Sequence, residues 1–328
     1  MSTQSITSNL ANSESIGKSK PEHSTNFFLA FDHRQEFARS LDGLGIPNGE
    51  ASLTKAVIES KQLIAEACQK IRNGSEDLSA NFGVLVDEQY GAKAAQMLKE
   101  SGVSITMPVE VADTNVFDFC YGKEFGDHIR AFDPEFVKAL VRFNIDGDSE
   151  VNAVQLKRLK VLQDWIERND CKLMLELVVP PTPAQQTECK SKQIDFIRNM
   201  RPGLALRGME TFLEYGIQPH IWKIEGVDDH TDAHRLGTLA ENPGGRRSAK
   251  CIVLSSGQSD QRVKHWLSVA AATNGYRGFA IGRSIWKEPV RDHIAGHLSR
   301  SEASSIIVEK FSEYVSLFES TRAKLGRT

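Results

Sequence analysis

Short apolar runs alternate with amphipathic stretches along most of the chain, and this alternation constrains the fold more than any other feature. Each run is almost continuously apolar, as strands covered on both faces of a parallel sheet are. Eight such runs with helical patterns between them predict an α/β fold, a single (β/α)₈ TIM barrel, with a doubly wound open sheet as the alternative. The runs are residues 26–32, 82–88, 104–110, 136–143, 171–180, 220–226, 250–257 and 276–283.

The helical patterns fall between the apolar runs, as a barrel requires. One connection, residues 110–136, has no clear helical period and is the weakest part of the prediction. The patterned segments are residues 53–72, 90–101, 150–168, 203–215, 231–240, 260–274 and 301–324.

Composition narrows the class of protein. The first 25 residues are rich in Ser, Asn and Thr, which predicts a disordered tail at 1–25 and one barrel domain at 26–328. A net charge of −3 in 328 residues argues against nucleic-acid binding. No apolar run approaches the roughly 20 residues that cross a bilayer. Five scattered cysteines predict reduced thiols and a cytoplasmic protein. The sequence also leaves a homo-oligomer possible.

Two lysines lie inside predicted strands, where an ammonium group loses its water. Lys138 belongs to the fourth strand and Lys223 to the sixth, with Glu176 on the strand between them. Burial and a neighbouring cation both favour the neutral amine, which attacks carbonyl groups. Glu176 would then move protons between Lys223 and its adduct. The alternative is a buried ion-pair network that only fixes the register of the strands.

The loops after the last two strands carry the pattern of a phosphate site. Ser255, Ser256 and Gly257 precede a predicted helix that starts near Asp260, and the eighth strand ends in the pair 282–283. Barrels commonly bind phosphate there, through backbone N–H groups and a helix N-terminus. Gly282 would allow close backbone approach and Arg283 would add a two-pronged donor; the alternative for 255–257 is a turn with an N-cap.

Three other signals are read as structural. His230 and His234 have the spacing of a metal-binding pair, but the polar residues around them indicate a solvated helix face. Residues 242–247 lack the lysine of a phosphate-binding loop, which favours an ordinary loop. Cys251 lies in the middle of a strand and is predicted to be core.

From residue 26 onward the chain resembles the lysine-dependent class I aldolases, and most of all the 5-dehydro-2-deoxyphosphogluconate aldolases of inositol catabolism. Those aldolases are often fused behind a sugar kinase; no kinase domain precedes this chain, which favours a free-standing enzyme. Tagatose-bisphosphate and sulfofructose-phosphate aldolases are similar at a greater distance. The resemblance is carried by LAFDHR (29–34), VLVDEQYG (84–91), MPVE (107–110), VKALVRFN (137–144), LELVVPP (175–181), IWKIEG (221–226) and GFAIGRSIW (278–286).

The resemblance implies a role for each site residue. Lys223 would form the Schiff base, Lys138 would be the auxiliary lysine, Glu176 an acid and base, and Asp32 a polar group that orders the site. The phosphate-binding positions would be Ser255, Ser256, Gly257, Gly282 and Arg283, with Ser256 standing where fructose-bisphosphate aldolases have glycine.

The implied reaction cleaves a phosphorylated keto-sugar acid to dihydroxyacetone phosphate and malonate semialdehyde, with no metal and no organic cofactor. Arg142 shares strand parity with Lys138 and is a candidate for the substrate carboxylate, with surface exposure as the alternative. The rival functions are a barrel enzyme of another reaction type, such as an epimerase or a metal-dependent aldolase, and a non-catalytic phospho-sugar binder. If Lys138 keeps Lys223 neutral, Lys138→Met is expected to raise the pKa seen in iminium formation.

Overall fold

The computed structural model describes residues 26–46, 49–74 and 81–326. Eight parallel strands close into a barrel in which each strand pairs with its neighbours in sequence and β1 pairs with β8. The predicted TIM barrel is therefore confirmed, and the open sheet is excluded. The predicted tail at 1–25 lies outside the described residues. The strands are β1 (Asn26–Ala30), β2 (Phe82–Leu85), β3 (Ser104–Pro108), β4 (Phe136–Arg142), β5 (Leu173–Val178), β6 (Ile221–Glu225), β7 (Lys250–Leu254) and β8 (Tyr276–Ile281).

Helices surround the barrel, and each of the seven helical patterns read from the sequence corresponds to one of them. The helices are α1 (Gln35–Ser40), α2 (Glu50–Gly74), α3 (Glu88–Glu100), α4 (Phe125–Phe132), α5 (Ser149–Arg168), α6 (Pro183–Glu188), α7 (Gln193–Asn199), α8 (Arg201–Glu214), α9 (His230–Glu241), α10 (Asp260–Ala271), α11 (Arg283–Ile294) and α12 (Arg300–Lys324).

Several elements carry no periodic signal in the sequence. The connection 110–136 contains a short 3₁₀ turn, Gly122–Glu124, followed by α4. Helices α6 and α7 are too short to establish a period, and α11 contains an internal proline, Pro289. Helices α6 and α7 follow β5, so they lie at the end of the barrel where βα-loops build active sites.

The strands end earlier than the apolar runs predict. Asp32, Asp87 and Glu110 each lie two residues beyond the last paired residue of their strand. Asp87 caps α3 by accepting a hydrogen bond from the Tyr90 backbone N–H at 2.8 Å. These three acids, which lie in the apolar runs 26–32, 82–88 and 104–110, therefore belong to the loops that follow the strands.

The barrel interior has an apolar floor. Strand residues alternate between the interior and the helices, so one face of every strand points to the barrel axis. The buried side chains of this floor form a cluster separate from the larger core that packs between sheet and helices. The floor residues are Phe28, Ala30, Leu85, Phe136, Met174, Ile221, Ile252 and Ala280.

Among the described residues, no helix has both the length and the apolar character that a bilayer crossing needs. The five cysteines have free thiols, and Cys251 is fully buried, as predicted.

Candidate active site

Strand alternation places a charged layer directly above the apolar floor. Two residues beyond Phe136 comes Lys138, and the same step of two leads from floor residues Met174 and Ile221 to Glu176 and Lys223. Since a step of two returns to the same face of a strand, all three charged side chains point to the barrel axis. The structure therefore brings together the three residues that the sequence placed in one pocket.

Lys138 lies at the centre of this layer and is 3% exposed. Its Nζ is 3.0 Å from Asp32 Oδ2, 2.8 Å from Glu110 Oε1 and 2.9 Å from Glu176 Oε2. Burial alone would lower the pKa of Lys138, but the three carboxylates outweigh it and raise that pKa well above its usual range. Lys138 is therefore a permanent cation at neutral pH.

Lys223 is also buried, at 4% exposure, but has fewer partners. Among the described residues, Glu176 is the one carboxylate at ion-pair distance, with its Oε1 2.8 Å from Lys223 Nζ. Glu176 thus bridges the two lysines through its two oxygens. Burial raises the pKa of Glu176, but Lys138 and then Lys223 outweigh burial and hold that pKa below its usual range.

Asp32 completes the layer at the end of β1. Burial raises its pKa, but Lys138, Lys223 and His33 together hold the carboxyl far below its usual range, so Asp32 is ionised. With Glu110, the layer contains three carboxylates and two lysines.

Glu110 is a site residue that the sequence did not assign. Its Oε1 contacts Lys138, and its Oε2 accepts a hydrogen bond from the Leu140 backbone N–H at 3.2 Å. The side chain of Arg34 donates to the Glu110 carbonyl oxygen at 2.7 Å. The available signal is the acid that ends the third apolar run, in MPVE (107–110).

A cavity of about 260 Å³ opens above the charged layer at the C-terminal ends of the strands. This is the end at which barrel enzymes build their active sites. Nine of the ten predicted site residues line the cavity: Asp32, Lys138, Arg142, Glu176, Lys223, Ser255, Ser256, Gly282 and Arg283.

The tenth predicted residue, Gly257, lies beside the cavity in the loop after β7. Ser256 and Gly257 have φ angles of +46° and +68°, a left-handed conformation that costs little only at the glycine. A Cβ on Gly257 would lie 3.1 Å from Arg283 Nη2, so the glycine lets the arginine lie against this loop. The Ser256 hydroxyl donates to Glu225 Oε1 at 2.6 Å, which fixes the loop to the end of β6.

Gly282 and Arg283 form the adjacent wall. A Cβ on Gly282 would lie 2.0 Å from the Ala30 carbonyl oxygen, so close packing of β8 against β1 requires the glycine. Helix α11 begins at Arg283, and its N-cap residue, Gly282, has no side chain with which to cap it. An uncapped helix N-terminus, an arginine and a left-handed loop together suit an anion.

Arg142 lies on the opposite wall, because β4 and β8 are four strands apart in an eight-stranded barrel. Its Nη1 donates to the Thr114 carbonyl oxygen at 3.0 Å, and its side chain lines the cavity. Arg142 is therefore a half-buried residue of the cavity wall.

His33 is a second residue without a sequence-based role, although it stands next to Asp32 in LAFDHR. It lines the cavity, and its buried Nδ1 has no hydrogen-bond partner in the part of the chain that the structure describes. Burial lowers the pKa of His33 to about 4, assisted by Arg283, Lys223 and Lys61 and opposed by Asp32. The imidazole is therefore neutral at pH 7.

A second cavity of about 400 Å³ lies beside the first, under α6 and α7. Its walls are mostly apolar and include Val179 and Phe196, and Arg201 and Glu225 lie at its polar side. Val178 lines both cavities.

No three His, Cys, Asp or Glu side chains in the described parts of the chain are arranged to hold a metal ion. His230 and His234 are exposed on α9, as the sequence predicted.

Three solved structures similar to this chain, two of them aldolases, share 12–14% of its sequence. An archaeal fructose-1,6-bisphosphate aldolase whose catalytic lysine is bound to the carbinolamine intermediate is 12% identical, with a TM-score of 0.54, covering 89% of this chain and 94% of its own. A Schiff-base-forming fructose-1,6-bisphosphate aldolase is 13% identical, with a TM-score of 0.51, covering 86% and 94%. The protein Cgl0159 from Corynebacterium glutamicum is 14% identical, with a TM-score of 0.52, covering 88% of each chain.

At these identities the similarity establishes the barrel fold. No curated protein matches the chain. A family model does match, over residues 6–322. The chain therefore belongs to the family described as uncharacterized protein conserved in bacteria (DUF2090).

Proposed function

We propose that this protein is a class I aldolase that cleaves a phosphorylated keto-sugar acid through a Schiff base on Lys223. The observation that carries the proposal is the pairing of a buried lysine, Lys223, with one carboxylate, Glu176, at the base of a cavity that is also lined by Arg142 and Arg283. The similar structures that form a Schiff base or a lysine-bound carbinolamine support this reaction type.

The first step needs a neutral amine and a positioned base. Glu176 Oε1, 2.8 Å from Lys223 Nζ, accepts a proton from the ammonium, and the free amine attacks the substrate ketone. The carbinolamine then gains a proton on its oxygen from Glu176 and loses water, which leaves an iminium ion. Lys138 stays charged throughout and holds Glu176 and Asp32 in place.

The iminium ion accepts the electron pair of the bond that breaks. A carboxylate removes the proton of the hydroxyl β to the iminium carbon, the carbon–carbon bond opens, and the aldehyde leaves. Asp32 and Glu176 are ionised and line the cavity on either side of Lys138, so both are available as this base. Protonation of the enamine and attack of water on the iminium then release dihydroxyacetone phosphate.

The positions of the two cavity arginines support the proposed substrate class. Lys223 on β6 lies between them: the 255–257 loop and Arg283 follow β7 and β8 on one side, and Arg142 belongs to β4 on the other. This arrangement suits a ketone with a phosphate on the adjacent carbon and a carboxylate at the other end of the chain. 5-Dehydro-2-deoxy-D-gluconate 6-phosphate has this pattern, and its products are dihydroxyacetone phosphate and malonate semialdehyde.

Borohydride trapping tests the covalent step. The protein is incubated with dihydroxyacetone phosphate, which supplies the ketone and the phosphate, then reduced and digested, and the peptides are mapped by mass. An adduct on Lys223, absent in Lys223→Met, is the expected result. An unmodified Lys223 together with aldol cleavage that a chelator abolishes would favour a metal-dependent aldolase instead.

The carboxylate end is tested separately through Arg142. In a coupled assay for dihydroxyacetone phosphate release, Arg142→Gln is expected to raise KM for the keto-sugar acid about tenfold or more, because a charge-assisted contact is lost. Trapping by dihydroxyacetone phosphate, which has no carboxylate, is expected to stay unchanged. Equal losses with both ligands would remove Arg142 from the proposed substrate contact.

A further inference from the structure

Arg283, the arginine of the proposed phosphate site, is already bound to an internal anion. Its Nη1 is hydrogen bonded to Glu36 Oε1, and both side chains line the substrate cavity. Both are also partly open to solvent, at 30% exposure for Arg283 and 37% for Glu36. The pair is therefore within reach of a ligand.

Adjacent strands bring the two residues together. Glu36 lies in the first turn of α1, which follows β1, and Arg283 opens α11, which follows β8. Because β1 pairs with β8, both helices begin at the same side of the cavity mouth.

A carboxylate and a phosphate use the same donors of a guanidinium group. While Glu36 contacts Arg283, the carboxylate occupies a donor that a phosphate would take. His33 Nε2 lies 4.0 Å from Glu36 Oε2, so the imidazole can donate a hydrogen bond to a carboxylate that has left the arginine.

We propose that Glu36 is an internal competitor at the phosphate site, and that the phosphate group of the substrate displaces it from Arg283. This inference rests on the proposed function only in placing the substrate phosphate at Arg283. Weakly binding anions such as chloride bear the same cost of displacing Glu36 but gain less from the site. Glu36 therefore keeps the site clear of them and leaves it to a phosphate group.

A second carboxylate of the cavity, Asp113, offers a matched control. Asp113 also lines the cavity and forms an exposed ion pair, with its Oδ2 3.1 Å from Arg39 Nη2. Its neutral amide variant, Asp113→Asn, removes one negative charge from the cavity as Glu36→Gln does. Asp113 has a φ of +58°, which asparagine tolerates.

The experiment measures the binding of inorganic phosphate to the intact protein by calorimetry, without turnover. Glu36→Gln is expected to bind phosphate about fivefold more tightly than the wild type, the effect of removing one partly exposed ion pair. Asp113→Asn is expected to stay within about twofold, because it leaves Arg283 unchanged. Glu36→Gln is also expected to become more sensitive to competition by chloride, and Glu36→Ala is expected to show the same direction.

Weaker phosphate binding in Glu36→Gln would mean that Glu36 orients Arg283 instead of competing for it, and the proposal would be wrong. Equal tightening in both variants would point to the general charge of the cavity and would also overturn it. The outcome is independent of the covalent step. Failed trapping at Lys223 would reject the aldolase proposal and leave the phosphate-binding result for Glu36→Gln intact. Successful trapping without tighter phosphate binding in Glu36→Gln would reject only the proposal that Glu36 competes with phosphate.

Discussion

Two buried lysine sites in this barrel differ in how completely the protein satisfies them. Lys61, on α2 in the outer wall, is 0% exposed. Its Nζ donates to the carbonyl oxygens of Phe31 at 2.7 Å and His33 at 2.8 Å, and it is bonded to Asp87 Oδ1. An ammonium group has three N–H donors, so those of Lys61 are all used.

Lys223, in the interior, is satisfied to a lesser degree. Glu176 is its carboxylate partner, and the rest of its ammonium group faces a cavity large enough for a substrate. A buried lysine that the protein satisfies fully has a structural role, whereas one left partly unsatisfied beside a cavity retains donors and a reactive nitrogen for a ligand. Burial therefore does not distinguish a structural lysine from a reactive one, but the number of hydrogen-bond and ion-pair partners of its Nζ does.

Replacing each lysine by methionine separates these roles, and the largest effect is expected on the activity of the interior site. Lys223→Met is expected to lower kcat by about 10⁴-fold or more, because the proposed Schiff base requires the amine of Lys223. Its free energy of unfolding is expected to stay within about 1 kcal/mol of the wild type, because Glu176 keeps Lys138 as a partner. Release of dihydroxyacetone phosphate and urea unfolding measure the two quantities. Retained activity in Lys223→Met would show that the number of internal partners does not identify a reactive lysine.

The same change in the wall is expected to affect stability first. Lys61→Met leaves Asp87, at 1% exposure, as a buried charge without its cation, and two carbonyl oxygens lose their donor. We expect a loss of about 3–5 kcal/mol in the free energy of unfolding, measured in urea. A loss below about 1 kcal/mol would mean that the three hydrogen bonds of Lys61 are not what makes it structural.

Lys138 is intermediate, because it is fully surrounded like Lys61 but lies beside the cavity like Lys223. Lys138→Met leaves Asp32, Glu110 and Glu176 with Lys223 as the remaining cation of the layer. We expect a loss of about 2–3 kcal/mol at pH 7, less than for Lys61 because the cavity admits water.

The pH dependence of this loss checks its origin. Asp32 and Glu176 have pKa values below their ordinary values of 3.8 and 4.5 in the folded protein. Their contribution to stability is therefore present above about pH 4.5 and is lost as the pH falls through the folded values. The difference between wild type and Lys138→Met is thus expected to shrink below pH 4.5 in urea titrations. A constant difference would assign the loss to packing.

The barrel and the charged layer were predictable because both follow from the regular spacing of residues in strands and helices. Strand alternation alone places Lys138, Glu176 and Lys223 on one interior face, and the order of strands makes their neighbourhood a consequence of barrel closure. The 110–136 connection was not predictable, since α4 is two turns long and its preceding loop has no regular spacing.

The partners of the charged side chains were less predictable than the side chains themselves. Lys61 lies within a regular helical pattern, and nothing in that pattern indicates that its Nζ reaches Asp87 and two strand-end carbonyls. Glu110 and Glu36 likewise depend on loop paths after β3 and β1. Side chains fixed by a loop depend on tertiary contacts, and a single sequence carries little signal for them.

His33 connects the two lysine sites and gives the smallest effect at pH 7, because its imidazole is neutral there. Its carbonyl oxygen accepts from Lys61, whereas its imidazole lines the cavity that contains Lys223. The folded pKa of His33 is about 4, below the ordinary 6.5, chiefly because of burial, with Arg283, Lys223 and Lys61 acting in the same direction against Asp32. The unfolded chain therefore binds more protons between these values, and the stability that His33 contributes above pH 6.5 is lost as the pH falls towards 4.

His33→Asn is expected to remove this pH dependence. The difference in unfolding free energy between wild type and variant is expected to fall by at most about 1.4 kcal/mol per pH unit from pH 6.5 downward, measured by urea unfolding at successive pH values. His220, whose pKa is also lowered to about 4, is present in both proteins and cancels in the difference. A difference that is flat from pH 6.5 to 4 would mean that His33 titrates as an exposed residue. The cavity beside Lys223 would then admit more water than the number of internal partners of Lys223 implies.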